Sequence, residues 1–239
     1  MTQHHLQGRD DTEVLWFQRR GFLQAAAAWT AAGSLAGAQA QSRGNIVELV
    51  GDATVNGQRL LPQQSLQTGD EIVTGPRSTL IFSIGNSAFH VRQNSSMMVE
   101  RGAGINAVSL LRLLTGAVVS VWGKGNNRQI VTPTLTAGIR GTGVYTEIFA
   151  SQGGRSYICN CYGVVDVAAG SSRETSETQY HQAFWADIQA GGEAALSPAR
   201  AINHTDEELE NLARLIGERT AWQISGKKGS KESVREYGG

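Results

Sequence analysis

Turn signals recur through the middle of this chain about every 8–12 residues, and that rhythm constrains its fold more than any other feature. Short apolar runs lie between them. Ile46–Val50 is followed by Gly51-Asp52, and Ala53–Val55 is separated from Gln58–Leu60 by Asn56-Gly57. Asn-Gly between two short runs is a strong hairpin signal, because both turn positions favour positive φ. Thr68-Gly69-Asp70 precedes Glu71–Thr74, Gly75-Pro76 ends it, and Gly85-Asn86 turns the chain between Thr79–Ile84 and Ala88–Arg92. Further runs at Ser109–Leu114 and Ala117–Trp122 flank Thr115-Gly116, and Gly163 reads as another tight turn. No stretch between Asn45 and Val167 has a 3.6-residue apolar period, which argues against parallel α/β architecture. The expectation is an all-β sandwich, jelly roll or β-roll.

Composition agrees. The chain has 29 Gly, 18% charged residues and 40% hydrophobic residues, as suits a turn-rich globular domain. Its 21 Lys+Arg balance 21 Asp+Glu, so no whole-protein field draws it to nucleic acid or an anionic membrane.

The first forty residues read as an address. Arg19-Arg20-Gly21-Phe22-Leu23 opens an alanine-rich, charge-free stretch, and Ala38-Gln39-Ala40 offers small residues at the two positions read by a signal peptidase. The paired arginines resemble a twin-arginine export signal. A retained membrane anchor is the alternative, but Ala and Gly gain little from lipid. The expected location is periplasmic, with membrane contact only through this segment if it is kept.

The only cysteines form Cys159-Asn160-Cys161 within a strand-like run. Residues i and i+2 share one face of a strand. Their Cα atoms would lie roughly 6.6 Å apart, at the limit for a disulfide, and a bridge would need a local bulge. Three readings are open. The pair can be structural, since a thiol packs as a small hydrophobe. It can be a redox-active bridge. It can also ligate a soft metal with His181 and His204, the only downstream histidines, as an S2N2 site suited to zinc or copper. His90, between Phe89 and Val91, is expected on the solvent face of its strand.

Thr205-Asp206-Glu207-Glu208 is a capping box, and Leu209, Leu212, Ala213 and Ile216 form an apolar stripe behind it, predicting an amphipathic helix over about 206–216. Docked on the domain, that helix would fix His204 near the sheet edge. Residues 225–239 read as a disordered tail.

Several of these segments resemble the FecR domain in order and spacing. They are Leu66–Thr74, Ser78–Phe82 with Gly85-Asn86-Ser87, Leu113–Val118, Thr132-Pro133 with Gly138–Thr142, and Tyr162–Val167. The resemblance implies a jelly-roll-like periplasmic sandwich over 45–167, followed by a C-terminal extension over 168–224. It singles out the turn Arg140-Gly141-Thr142. Arg140 there can either grip an anionic ligand or pair internally and pin a strand corner. The best-known members are anti-sigma regulators with a cytoplasmic sigma-binding domain. The residues before the arginine pair are too few for such a domain, so no direct sigma-factor contact is expected. The implied role is non-enzymatic: an exported interaction or sensing module that meets an envelope protein the sequence does not name.

Overall fold

A computed structural model describes residues 44–102, 107–125 and 128–230. Arg19, Arg20, Ala38 and Ala40, expected to belong to an export signal, and the residues beyond 230 lie outside them. Among the described residues no helix is long and apolar enough to cross a membrane.

The fold is an all-β sandwich. In chain order its strands are β1 (Ile46–Val50), β2 (Ala53–Val55), β3 (Gln58–Arg59), β4 (Glu71–Thr74), β5 (Thr79–Ile84), β6 (Ser87–Val91) and β7 (Ser96–Arg101). Then come β8 (Val108–Trp122), β9 (Arg128–Val131), β10 (Thr136–Phe149), β11 (Arg155–Ala169), β12 (Ser172–Thr178), β13 (Gln182–Ile188) and β14 (Ala194–Ala199). Two helices follow, α1 (Asp206–Leu215) and α2 (Ala221–Ser225).

Three long strands, β8, β10 and β11, each run through both layers. One layer orders β1, β5, β6, the C-terminal halves of β8 and β10, the N-terminal half of β11, β13 and β14. The other orders β3, β2, β4, β7, the N-terminal half of β8, β9, the N-terminal half of β10, the C-terminal half of β11 and β12. The hairpin expected at Gly116 and the tight turn expected at Gly163 are therefore bends within single strands. At Gly116 φ is +77°, and a Cβ would stand 2.5 Å from the Ser95 Cα. At Gly163 φ is +91°, and a Cβ would stand 2.7 Å from the Gly141 carbonyl oxygen. Glycine serves a bend and a tight turn for the same reason, its access to positive φ.

Side-chain parity changes at the bends. In β11, Ile158 faces the inter-layer core while Tyr157, Cys159 and Cys161 face outward. Beyond the bend Val165 and Val167 face the inter-layer core. The register with β10 slips from Gly143↔Tyr162 to Val144↔Asn160, which leaves Cys161 as the extra residue of a bulge.

Two cores result. The inner one lies between the layers and is aliphatic and aromatic, with Phe82, Leu80, Leu111 and Ile130 fully buried. The outer one lies between the β6–β8–β10–β11 face and the C-terminal segment, which contributes Ile202, Leu209, Leu212, Ala213 and Trp222. The sheet passes Val167 without a break and continues to Ala199, so β12–β14 of the expected extension complete the sandwich. His90 is not on a solvent face. Helix α1 covers that surface, leaving the His90 side chain 13% exposed, with Nε2 2.8 Å from Thr79 Oγ1 and Nδ1 3.4 Å from Glu208 Oε1.

Candidate metal centre

The bulge in β11 is where the site is built. The C-terminal half of this strand pairs with β12 as far as Gly163↔Thr178, and its N-terminal half pairs with β13 from Asn160↔Gln182. The crossover between the two partners, residues 179–181, therefore passes beside Cys161. The His181 amide donates to the Cys161 carbonyl at 2.9 Å, and φ at His181 is +35°.

His204 arrives from the other side. The Tyr157 hydroxyl donates to the Arg200 carbonyl at 2.8 Å and accepts from the Ile202 amide at 3.1 Å, fixing the approach to α1. The capping box closes as expected: the Glu208 amide donates to Thr205 Oγ1, and the Thr205 amide donates to Glu208 Oε2. Glu208 also receives Arg92 at 2.7 and 2.9 Å, which ties the start of the helix to the sheet. Burial alone would raise the Glu208 pKa, but Arg92 and His90 outweigh it and hold the carboxyl far below the usual range.

Cys159, Cys161, His181 and His204 are thereby brought together and buried, with one ligand atom from each within 4.8 Å of the others. Cys159 Sγ lies 3.6 Å from His181 Nδ1, Cys161 Sγ 3.4 Å from His204 Nε2, and the two nitrogens are 3.0 Å apart. Neither cysteine is in a disulfide. Burial would push the Cys159 thiol up, yet Cys161 and the two imidazoles hold it well below the ordinary range.

The outer nitrogens of both rings are engaged. His204 Nδ1 meets the Ile202 carbonyl at 2.6 Å, and His181 Nε2 meets Asp206 Oδ1 at 3.0 Å. A carbonyl and a carboxylate only accept, so the hydrogen-bond network assigns the ring protons to these outer nitrogens. His181 Nδ1 and His204 Nε2 then meet each other and the two sulfurs at the centre of the cluster. A cation at their centre would turn that crowding into bonds. Tetrahedral zinc, with bonds of about 2.3 Å to sulfur and 2.0–2.1 Å to nitrogen, separates sulfur from nitrogen by about 3.5 Å and nitrogen from nitrogen by about 3.4 Å. The donor set of two sulfurs and two imidazole nitrogens, with sulfur–nitrogen distances of 3.4 and 3.6 Å, suits such an ion.

An outer shell completes the site. Asp206, the first residue of α1, also accepts from Tyr180 Oη at 3.0 Å and from Lys228 Nζ at 2.9 Å. Tyr145 stacks on His204 with ring centroids 4.8 Å apart, and Trp222 stacks on His181 at 5.5 Å. Lys228 lies in the stretch read from the sequence as the start of a disordered tail; its partnership with Asp206 links two parts of the C-terminal region that sequence reasoning did not join. Asp206 had only the sequence signal of a first-turn acid. Asn160, on the opposite face of β11, braces the bulge by accepting from Thr142 Oγ1 at 2.9 Å and donating to Ser176.

The turn Arg140-Gly141-Thr142 stands apart from the four ligands. Arg140 forms an ion pair with Asp166, φ at Gly141 is +63°, and the Thr142 hydroxyl also donates to the Tyr162 carbonyl.

No family model matches the sequence, and no curated protein matches it. Two crystal structures, each of a candidate anti-sigma factor from Parabacteroides distasonis ATCC 8503, align with part of the chain. The first is 10% identical with a TM-score of 0.43, over 54% of this chain and 59% of the other. The second is 8% identical with a TM-score of 0.43, over 61% of this chain and 73% of the other. This chain thus spans less than two thirds of the first structure's length.

Proposed function

We propose that this chain is an exported, non-catalytic metalloprotein in which Cys159, Cys161, His181 and His204 hold one zinc ion. The observation that carries this reading is the buried cluster of two cysteine sulfurs and two imidazoles, with one ligand atom of each within 4.8 Å of the others. Four protein donors, all buried, match closed structural zinc sites, whereas catalytic sites keep a position open. The carboxylate behind His181 and the carbonyl behind His204 are the outer partners that orient ligating imidazoles. Export is supported by the twin-arginine-like segment of residues 1–40. The sandwich around the ion would serve the interaction or sensing role in the envelope that the FecR resemblance implies.

The test is elemental analysis with thiol titration on full chain folded in the cytoplasm and purified without chelator. The expected result is about one zinc per chain, thiols that react only after chelation, and loss of the metal in Cys159→Ser/Cys161→Ser. One copper per chain would keep the site and change the ion. No metal with two freely reacting thiols would overturn the reading.

A further inference from the structure

The four ligands belong to two parts of the chain. Cys159, Cys161 and His181 are carried by β11 and the β12–β13 crossover, within the sandwich itself. His204 belongs to the segment that lies over the outer face of the sheet. The other contacts between that segment and the sandwich converge on the same place. Asp206 meets His181 and Tyr180, and Trp222 stacks on His181 and packs edge-on against Tyr162 and Tyr180. Farther away are Arg92–Glu208 and the leucines of α1.

From this division we infer that metal occupancy controls the docking of residues 200–228 on the sandwich, so that the centre senses metal and reports it by holding or releasing the C-terminal segment. The inference rests on the metal reading above. With a cation bound, His204 is tied to the three ligands of the sandwich. Without one that tie is lost, and the segment is held only by its protein contacts: the Arg92–Glu208 pair, the Tyr157 hydrogen bonds, Asn203 on Glu147, Asp206 on His181 and Tyr180, the Trp222 ring contacts and its leucines. Release uncovers an apolar strip of the outer face that includes Ala88, Ala117, Val119 and Val121. Ligand binding that spans two units stabilises their docked state by mass action, and local opening of one unit leaves the other folded.

The experiment is hydrogen exchange by mass spectrometry on the full chain, compared with zinc bound, after chelation, and after one equivalent of zinc is restored. In the zinc-free protein, peptides over 206–215 and 221–228 should exchange about tenfold faster or more, with β4, β5 and β7 unchanged, and restored zinc should reverse the effect. His204→Ala keeps three ligands on the sandwich. It should leave α1 fast-exchanging even with zinc present. Zinc bound at one per chain with α1 equally protected in all states would overturn the inference while leaving the metal site intact. So would exchange that rises equally in the inner strands, which would make the metal a global staple. Absence of any bound metal would be a different result, and would remove the metal reading and this one together.

Discussion

The inner and outer cores of this sandwich are built from different chemistry. Between the layers, aliphatic and aromatic residues such as Leu80, Phe82, Leu111 and Ile130 dominate, and buried polar groups such as Asn160 and Ser176 are paired with each other. Under the C-terminal segment, leucines share the space with Cys159, Cys161, His181, His204, Asp206 and the Tyr145 hydroxyl. Apolar burial is indifferent to ions and nearly so to pH. A buried polar cluster is stable only while every group in it is satisfied. The inner core thus specifies that the chain folds, and the outer core makes one part of the fold conditional.

The largest effect should come from the inner core. Phe82 is fully buried and stacks on Phe89 with centroids 5.0 Å apart. Phe82→Ala should cost about 3–5 kcal/mol. Denaturant titration should show the same loss with and without zinc, and a zinc-dependent loss would break the separation between the cores.

Acid should act on the outer core first. Glu208 is held far below the usual carboxylate range, against the pull of burial, by Arg92 and His90. Its stabilisation is therefore complete above the unfolded value of about 4.3 and is lost as pH falls below it. Thermal melts should lose stability progressively as pH falls below about 5, and Glu208→Gln should start lower and flatten that slope. An identical slope in the variant would remove Glu208 from the account.

Asp206→Asn tests the outer shell. It preserves the shape and removes the charge behind His181, so zinc affinity should fall by about tenfold with the melting profile of the inner core retained. Competition against a chromophoric chelator reads the change. The smallest effect belongs to Arg140→Ala. The Arg140 side chain is 67% exposed, and loss of its pair with Asp166 should cost about 0.5 kcal/mol. A larger cost would mark Arg140 as more than a surface brace.

Much of the scaffold was legible because its signals are local. The Asn56-Gly57 hairpin, the Thr205–Glu208 capping box and the shared outward face of Cys159 and Cys161 each depend on residues within one turn or strand. The bends at Gly116 and Gly163 look in sequence like a hairpin and a tight turn, since positive φ is common to all three and only long-range pairing separates them. His181 and His204 could be named as candidates, but their distance along the chain is long and irregular. What joins them is the change of partner along β11 and the hydrogen bonds from Tyr157, both set by tertiary structure. The second capping box, Thr220 with Gln223, and helix α2 behind it went unread because five residues carry too little periodicity. His90 was placed in solvent because one strand cannot reveal that a helix will cover it.

The passage of β8, β10 and β11 through both layers has a consequence for how this chain can vary. Most sandwiches change layers through loops, and such loops absorb insertions. Here three of the layer crossings have no loop to lengthen, and one added residue at Gly116 or Gly163 would shift the facing of everything beyond it. The tolerant places lie at the rims. At Gly153 and Gly154, in the tip joining β10 to β11, a Cβ would meet nothing within 4 Å. A peptide tag or a fluorescent label placed there should leave both cores undisturbed, whereas the same insertion at a crossing would unpick the two layers together.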